Sequence, residues 1–237
     1  MALVLKTSVS AMAPSVRIRP FPLQIFYYIM EQSNISMQGA LDRLKTIKGS
    51  SSRKIEIYSQ RCFLDFKNND VLEWWNSENE DKDVARAITR PFYDLVHSCS
   101  IPTGLITESA FASKVKNPKI PVTKDHCFRP QFVYRYMLDN YEKFQDYEVF
   151  RRWFVMCCST IYVMGLENDR LSSGGTKNQG GKYEILSPTD QQYVRANLNL
   201  YSHSKERRWS ERTITIRSNL IDAPESLLNY ERKFISA

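Results

Sequence analysis

Residues 131–165, QFVYRYMLDNYEKFQDYEVFRRWFVMCCSTIYVMG, are the most aromatic and most helix-like stretch of the chain, and their reading decides the fold. They predict two helices. Asp146 has a short side chain able to accept from the free amides that open the second helix, and Glu148 lies where the positive end of the helix dipole favours an acid. Phe150, Phe154, Cys157, Ile161 and Met164 recur at spacings of four, three, four and three, while Trp153, Val155, Tyr162 and Val163 cover the other faces. A helix that is apolar all round is enclosed by its neighbours, so this one is expected at the centre of the core. Its apolar run, 154–166, is shorter than the ~20 residues a bilayer requires and is flanked by Arg151 and Arg152. It is therefore read as a buried helix, and no transmembrane segment is expected.

Working toward the N-terminus, 100–130 is rich in Pro, Ser and Lys and is read as loops around one short helix at 108–114. Val84, Ile88, Phe92 and Leu95 keep helical spacing, but Pro91 removes a backbone donor and predicts a kink or split at 89–91. A short helix at 70–75 runs into the acidic patch 76–83. In 54–66, Ile55, Ile57, Tyr58, Phe63 and Phe66 alternate in part, as a strand pair or one bent strand does. Met37, Leu41, Leu44 and Ile47 form a helical stripe with Lys45 and Lys48 in its last turn, Gly49 beyond its end and Ser33-Asn34 available to cap its start.

Toward the C-terminus, 168–182 holds four of the eight glycines and no apolar periodicity, which predicts a mobile loop. Ser187-Pro188-Thr189-Asp190 has the order of a helix start, followed by the single stripe Val194, Leu198 and Tyr201. Thr213-Ile214-Thr215-Ile216 alternates as a half-buried strand, and Asp222-Ala223-Pro224-Glu225 opens a last helix carrying Leu227, Leu228 and Phe234. There is no internal repeat. The expectation is a mainly α, α+β fold with a few short strands: a flexible basic arm at 1–22, a helical core domain at 23–167, a Gly-rich loop at 168–182 and a C-terminal helix and strand segment, 183–237, packed on the core.

The whole chain has 237 residues, 42% of them hydrophobic and 12% aromatic, which argues against wholesale disorder. A mean hydropathy of -0.44 argues against an integral membrane protein. Thirty-three Lys and Arg against 26 Asp and Glu leave a formal charge of +7, which favours a polyanionic partner. The five cysteines, Cys62, Cys99, Cys127, Cys157 and Cys158, are odd in number and contain no C-x-x-C pair. They fit neither a disulfide framework nor a zinc site, and are read as small core residues of a reducing compartment. The first thirty residues contain no acid, with Lys6, Arg17 and Arg19 among serines and threonines. That composition suits an organelle transit peptide, and equally an arm that reaches nucleic acid or a neighbouring subunit.

Arginine interleaves with aromatics twice. Arg129, Phe132, Tyr134, Arg135 and Tyr136 lead to Arg151-Arg152-Trp153, and Arg207-Arg208-Trp209 is followed by Arg212 and Arg217. Guanidinium groups pair with phosphates, and aromatic faces stack on bases for roughly 1–3 kcal/mol each, so these residues are the candidate nucleic-acid contacts, with Trp209 and Tyr134 as stacking platforms. The competing reading makes the aromatics core and the arginines solvated helix ends. Other chemistries are thinner. The glycines at 174–181 lack Walker spacing. Asp65-Phe66-Lys67, with Glu56 as second acid, sketches a metal-dependent nuclease site at a strand end. His97, His126 and His203 are scattered, so no metal and no cofactor is expected.

These residues together imply a non-catalytic, sequence-tolerant, single-stranded RNA-binding structural protein that forms homo-oligomers, such as a viral nucleoprotein or coat protein in the virion or host cytoplasm. The alternatives are a viral matrix or accessory protein that meets a membrane surface or an acidic protein, and the nuclease.

Overall fold

The structure is a computed structural model that describes residues 37–172, 187–202, 215–216 and 223–235. The arm at 1–22, the glycines at 174–181 and the second arginine cluster at 207–217 lie outside the described residues, apart from the strand residues 215–216.

The fold is mainly helical with one small mixed sheet. Four helices come first: α1 (Met37–Thr46), α2 (Ser50–Phe66), α3 (Asn69–Glu78) and α4 (Lys82–His97). Then β1 (Ile101–Thr107), α5 (Glu108–Lys116), β2 (Thr123–His126), α6 (Pro130–Asp139), a 3₁₀ turn (Tyr141–Phe144) and α7 (Tyr147–Cys157) lead to β3 (Ser159–Val163). After α8 (Gly165–Ser172) come α9 (Gln191–Arg195), β4 (Leu200–Ser202), β5 (Thr215–Ile216) and α10 (Glu225–Ile235). The strand order is β2-β3-β1-β4-β5; β1 and β3 run parallel and the other neighbours antiparallel. A bulge between Pro102 and Ile106 lets Gly104 take a φ of 81°, a backbone conformation open to glycine at little strain.

Helix starts follow side-chain chemistry. Asn68 accepts from the Asp70 amide, Asp81 from those of Asp83 and Val84, Thr107 from Ala110, and Asp146 from Val149. Each satisfies an amide with no partner inside its helix.

The core centres on α7. Phe150, Trp153, Phe154, Val155, Met156 and Cys157 are all buried, against α1, α2 and α6. Aromatic rings join the helices: Phe66 packs 5.2 Å from Phe150, Phe92 stacks on Tyr134 at 4.5 Å, and Trp153 stacks on Tyr136 at 5.0 Å. Helix α1 links this layer to the sheet, since it touches both α7 and β1. Its buried Arg43 donates from Nη2 to Ser159 Oγ at 3.1 Å. All five cysteines are buried and free, as their reading as core residues requires.

Several local expectations are overturned. Residues 54–66 are helical, not extended: Ile55, Ser59, Cys62 and Phe66 form the buried stripe of α2 at spacings of four, three and four. The helix continuing through Ile161 ends at Cys157 instead, because Thr160, Ile161 and Val163 are β-branched and pair in β3. The loop region 100–130 contains β1 and β2 as well as α5. Helix α4 runs through Pro91 without a break. At 168–172 the chain is the second half of α8 rather than loop. Ser187 does not cap a helix at Pro188; α9 starts at Gln191, and Val194, Leu198 and Tyr201 are split between α9, a turn with Asn197 at φ 53° and β4.

Candidate functional site

Four of the nine arginine-cluster residues lie among the described residues, and the fold uses three of them internally. Arg129 lies at the start of α6, where it donates from Nη2 to the Leu171 carbonyl of α8. Burial lowers its pKa, a trend that the nearby Asp125 opposes. Arg135 sits over the Trp75 ring, 5.9 Å from its centroid. Arg151 donates from Nε to Glu56 at 2.9 Å and lies 3.7 Å from Glu148. Arg152 is the exposed one of the four. Trp153, at 8% exposure, and Tyr134, at 3%, are core residues, so neither is a platform for a base. For these two aromatics the core reading holds.

The nuclease constellation does not assemble. Asp65 and Lys67 lie at the end of a helix, not of a strand. Nine residues along α2 set the Glu56 and Asp65 backbones about 13 Å apart. Glu56 accepts from Tyr147 Oη at 2.8 Å and from Arg151, and although burial opposes ionisation these bonds keep its carboxyl below its ordinary pKa. Among the described residues no group of three His, Cys, Asp or Glu side chains is placed to hold a metal ion, and no helix is long and apolar enough to cross a membrane. Burial pushes the thiols of Cys62, Cys127 and Cys157 up, away from nucleophilic thiolate.

Two buried polar clusters tie the C-terminal segment to the body. Tyr193 of α9 donates its hydroxyl to Asp125 of β2, whose carboxyl burial pushes up to about 6. Ser187 and Thr189 both donate to Glu231 of α10, and Arg195 lies 3.8 Å from the same carboxylate. Beside the first cluster, His126 meets the Cys157 carbonyl through Nδ1 at 2.8 Å, and burial lowers its pKa to about 4. These contacts are structural: Asp125, Ser187, Thr189 and Glu231 each bond another side chain of the protein.

The concave feature of this face was not anticipated from sequence. A groove of about 520 Å³ lies between α2, α3 and α4. The deeply buried Phe92 and Tyr134 line it from within, with Val71, Val84 and Ile88 beside them. Arg61, Asp65 and Trp74 also border it, and Trp74 is 52% exposed. Its neighbour Trp75 points the other way, 3% exposed, and donates from Nε1 to Asp139 at 2.7 Å. Ala87 and Pro91 both line the groove, and because proline has no N–H the Ala87 carbonyl lacks the helical donor it would otherwise have. The available sequence signal was the tandem Trp74-Trp75: at 100° per residue, two adjacent indoles cannot both face one core.

The charge is unevenly distributed. The described residues carry 23 Lys and Arg against 21 Asp and Glu, a net of +2; the remainder of the chain carries 10 against 5, a net of +5. No protein-family model, no curated protein and no solved structure matches the chain.

Proposed function

We propose that this chain is a non-catalytic binding protein that holds single-stranded nucleic acid, RNA in preference to DNA, and self-associates, in the manner of a viral nucleoprotein or coat protein. The observation that carries the reading is the division of charge: a nearly neutral helical body, with most of the basic excess in the segments at 1–36, 173–186 and 203–222. In this reading Arg207, Arg208, Arg212 and Arg217 neutralise phosphates, Trp209 stacks on bases, and the exposed Arg152 adds a contact from α7. Arg129, Arg135 and Arg151 support the fold instead, which shortens the set of contacts expected from sequence.

Filter binding of single-stranded RNA and DNA homopolymers over a salt series tests it. Affinity should fall as salt rises, with a log–log slope of about -0.7 for each phosphate neutralised on a single strand. The double reversal Arg207→Glu and Arg208→Glu should weaken every homopolymer alike and flatten that slope. Affinity that ignores salt, or a reversal that leaves it intact, refutes the proposal. Purified protein run on a sizing column should carry absorbance at 260 nm in an assembly larger than one copy.

A further inference from the structure

The groove between α2, α3 and α4 has an apolar lining, and the chain running from α3 into α4 beside it is acidic. Arg61, Cys62 and Asp65 line the groove from α2, Asn68, Val71 and Trp74 from the start and body of α3, and Val84, Ala87, Ile88 and Pro91 from α4. Trp74, at 52% exposure, leaves most of its indole open at the groove. An exposed indole beside the apolar lining of Val71, Val84 and Ile88 is an arrangement that marks a binding surface. Beyond the Trp74 side, residues 69–83 carry Asp70, Glu73, Glu78, Glu80, Asp81 and Asp83, all exposed, against the single base Lys82. A suitable occupant is apolar, aromatic and basic, with no acid of its own.

The chain contains such a segment outside the described residues. Residues 17–30, RIRPFPLQIFYYIM, hold two arginines, four large aliphatic side chains, one methionine, four aromatics and no acid. Only 31–36 separate this segment from α1, and six extended residues reach roughly 20 Å. A short connection also holds the segment at high effective concentration near its own groove.

We propose that residues 17–30 of this chain dock in the groove between α2, α3 and α4 of the same copy, the 21–30 stretch over the apolar lining and Arg17 and Arg19 toward the acidic chain between α3 and α4. The proposal does not depend on RNA binding, since it uses neither Arg152 nor any residue of 203–222.

Hydrogen–deuterium exchange on the full chain tests it. Amides of 21–30 should exchange at least about tenfold slower than an open chain. Trp74→Glu and Ala87→Glu alter exposed positions that line the groove; each should return 21–30 toward open-chain exchange while β1 and β3 keep their protection, which also certifies the fold. Arg17→Glu with Arg19→Glu should do so in part, most strongly at low salt. Open-chain exchange of 21–30 in the unaltered protein overturns the proposal, and so does protection that survives both groove variants. Protection of 21–30 that grows with protein concentration places the segment in a neighbouring copy and overturns the same-copy assignment. Concentration-dependent protection of 71–91 with 21–30 exchanging freely assigns the groove to a second copy's surface, and overturns it as well.

Discussion

His126→Asn should remove the acid-sensitive half of a pair of opposed titrations in the core. The His126 ring is held between β2 and the end of α7, with Nδ1 on the Cys157 carbonyl at 2.8 Å and the His97 ring of α4 at 5.7 Å. Burial is the main reason its pKa falls from the ordinary 6.5 to about 4, with His97 adding to the effect and the Cys157 carbonyl opposing it. The unfolded chain therefore takes up the proton from about pH 6.5 downward, the folded chain only near pH 4. The stabilisation is complete above 6.5 and is lost as the pH falls through 4. A gap of about 2.5 pKa values at 1.36 kcal/mol each is worth about 3 kcal/mol in full, and about 2 kcal/mol by pH 4.5 once partial exposure is allowed for. Asp125, next in the chain, works in the opposite sense: its carboxyl is raised to about 6, so its contribution is present at low pH and lost as the pH rises through 6. The two conceal one another in the native protein, which is why a single substitution is needed. Asparagine can offer its amide nitrogen where Nδ1 stood, keeping the bond to Cys157 without a titrating group. Urea unfolding at pH 7.5 and 4.5 should show the variant losing about 2 kcal/mol less on acidification than the native chain. An identical loss in both proteins refutes the assignment of acid sensitivity to this ring.

Phe92→Ala opens a hole beside the rings of Tyr134, Phe150 and Phe154, and should cost about 3–5 kcal/mol in urea unfolding. Asp81→Ala removes the cap of α4 and should cost about 1 kcal/mol, measured the same way. Trp75→Phe leaves Asp139 without the indole donor and should lower stability by about 1–2 kcal/mol, with circular dichroism at 25 °C unchanged. Arg151→Ala breaks the link between α7 and Glu56 of α2, so thermal unfolding should shift downward while affinity for RNA stays the same; a loss of affinity without a loss of stability returns Arg151 to the binding surface.

Much of the helical layer was legible because its signals are local. The Met37 to Ile47 stripe, the Asp146 cap, the 108–114 helix and the Asp222 to Glu225 start all depend on residues within one or two turns, and helices stand at each of these places. The sheet was harder. β3 follows α7 with only Cys158 between them, so an apolar run that begins at the right spacing for a helix carries that spacing into Ile161 by coincidence. Its β-branched residues were the better guide, since they pay off only when β1 arrives from far along the chain. Partial alternation in 54–66 misled for the converse reason: Ile55, Ser59, Cys62 and Phe66 include one polar member, and Ser59 hides its hydroxyl on the Glu56 carbonyl and Tyr147. Of the candidate site, the arginine clusters were visible as composition but not as partners. Nothing in the spacing of Arg151 reveals that Glu56, 95 residues earlier, will meet it.

The parallel pairing of β1 with β3 has a consequence during synthesis. Ile101 of β1 aligns with Ser159 of β3, 58 residues later. A ribosome adding about 5–20 residues per second emits β1 some 3–12 seconds before its parallel neighbour exists, and Ile101, Leu105 and Ile106, all fully covered in the finished fold, spend that time bare. Slower translation across 108–158 would lengthen that interval without altering one amino acid.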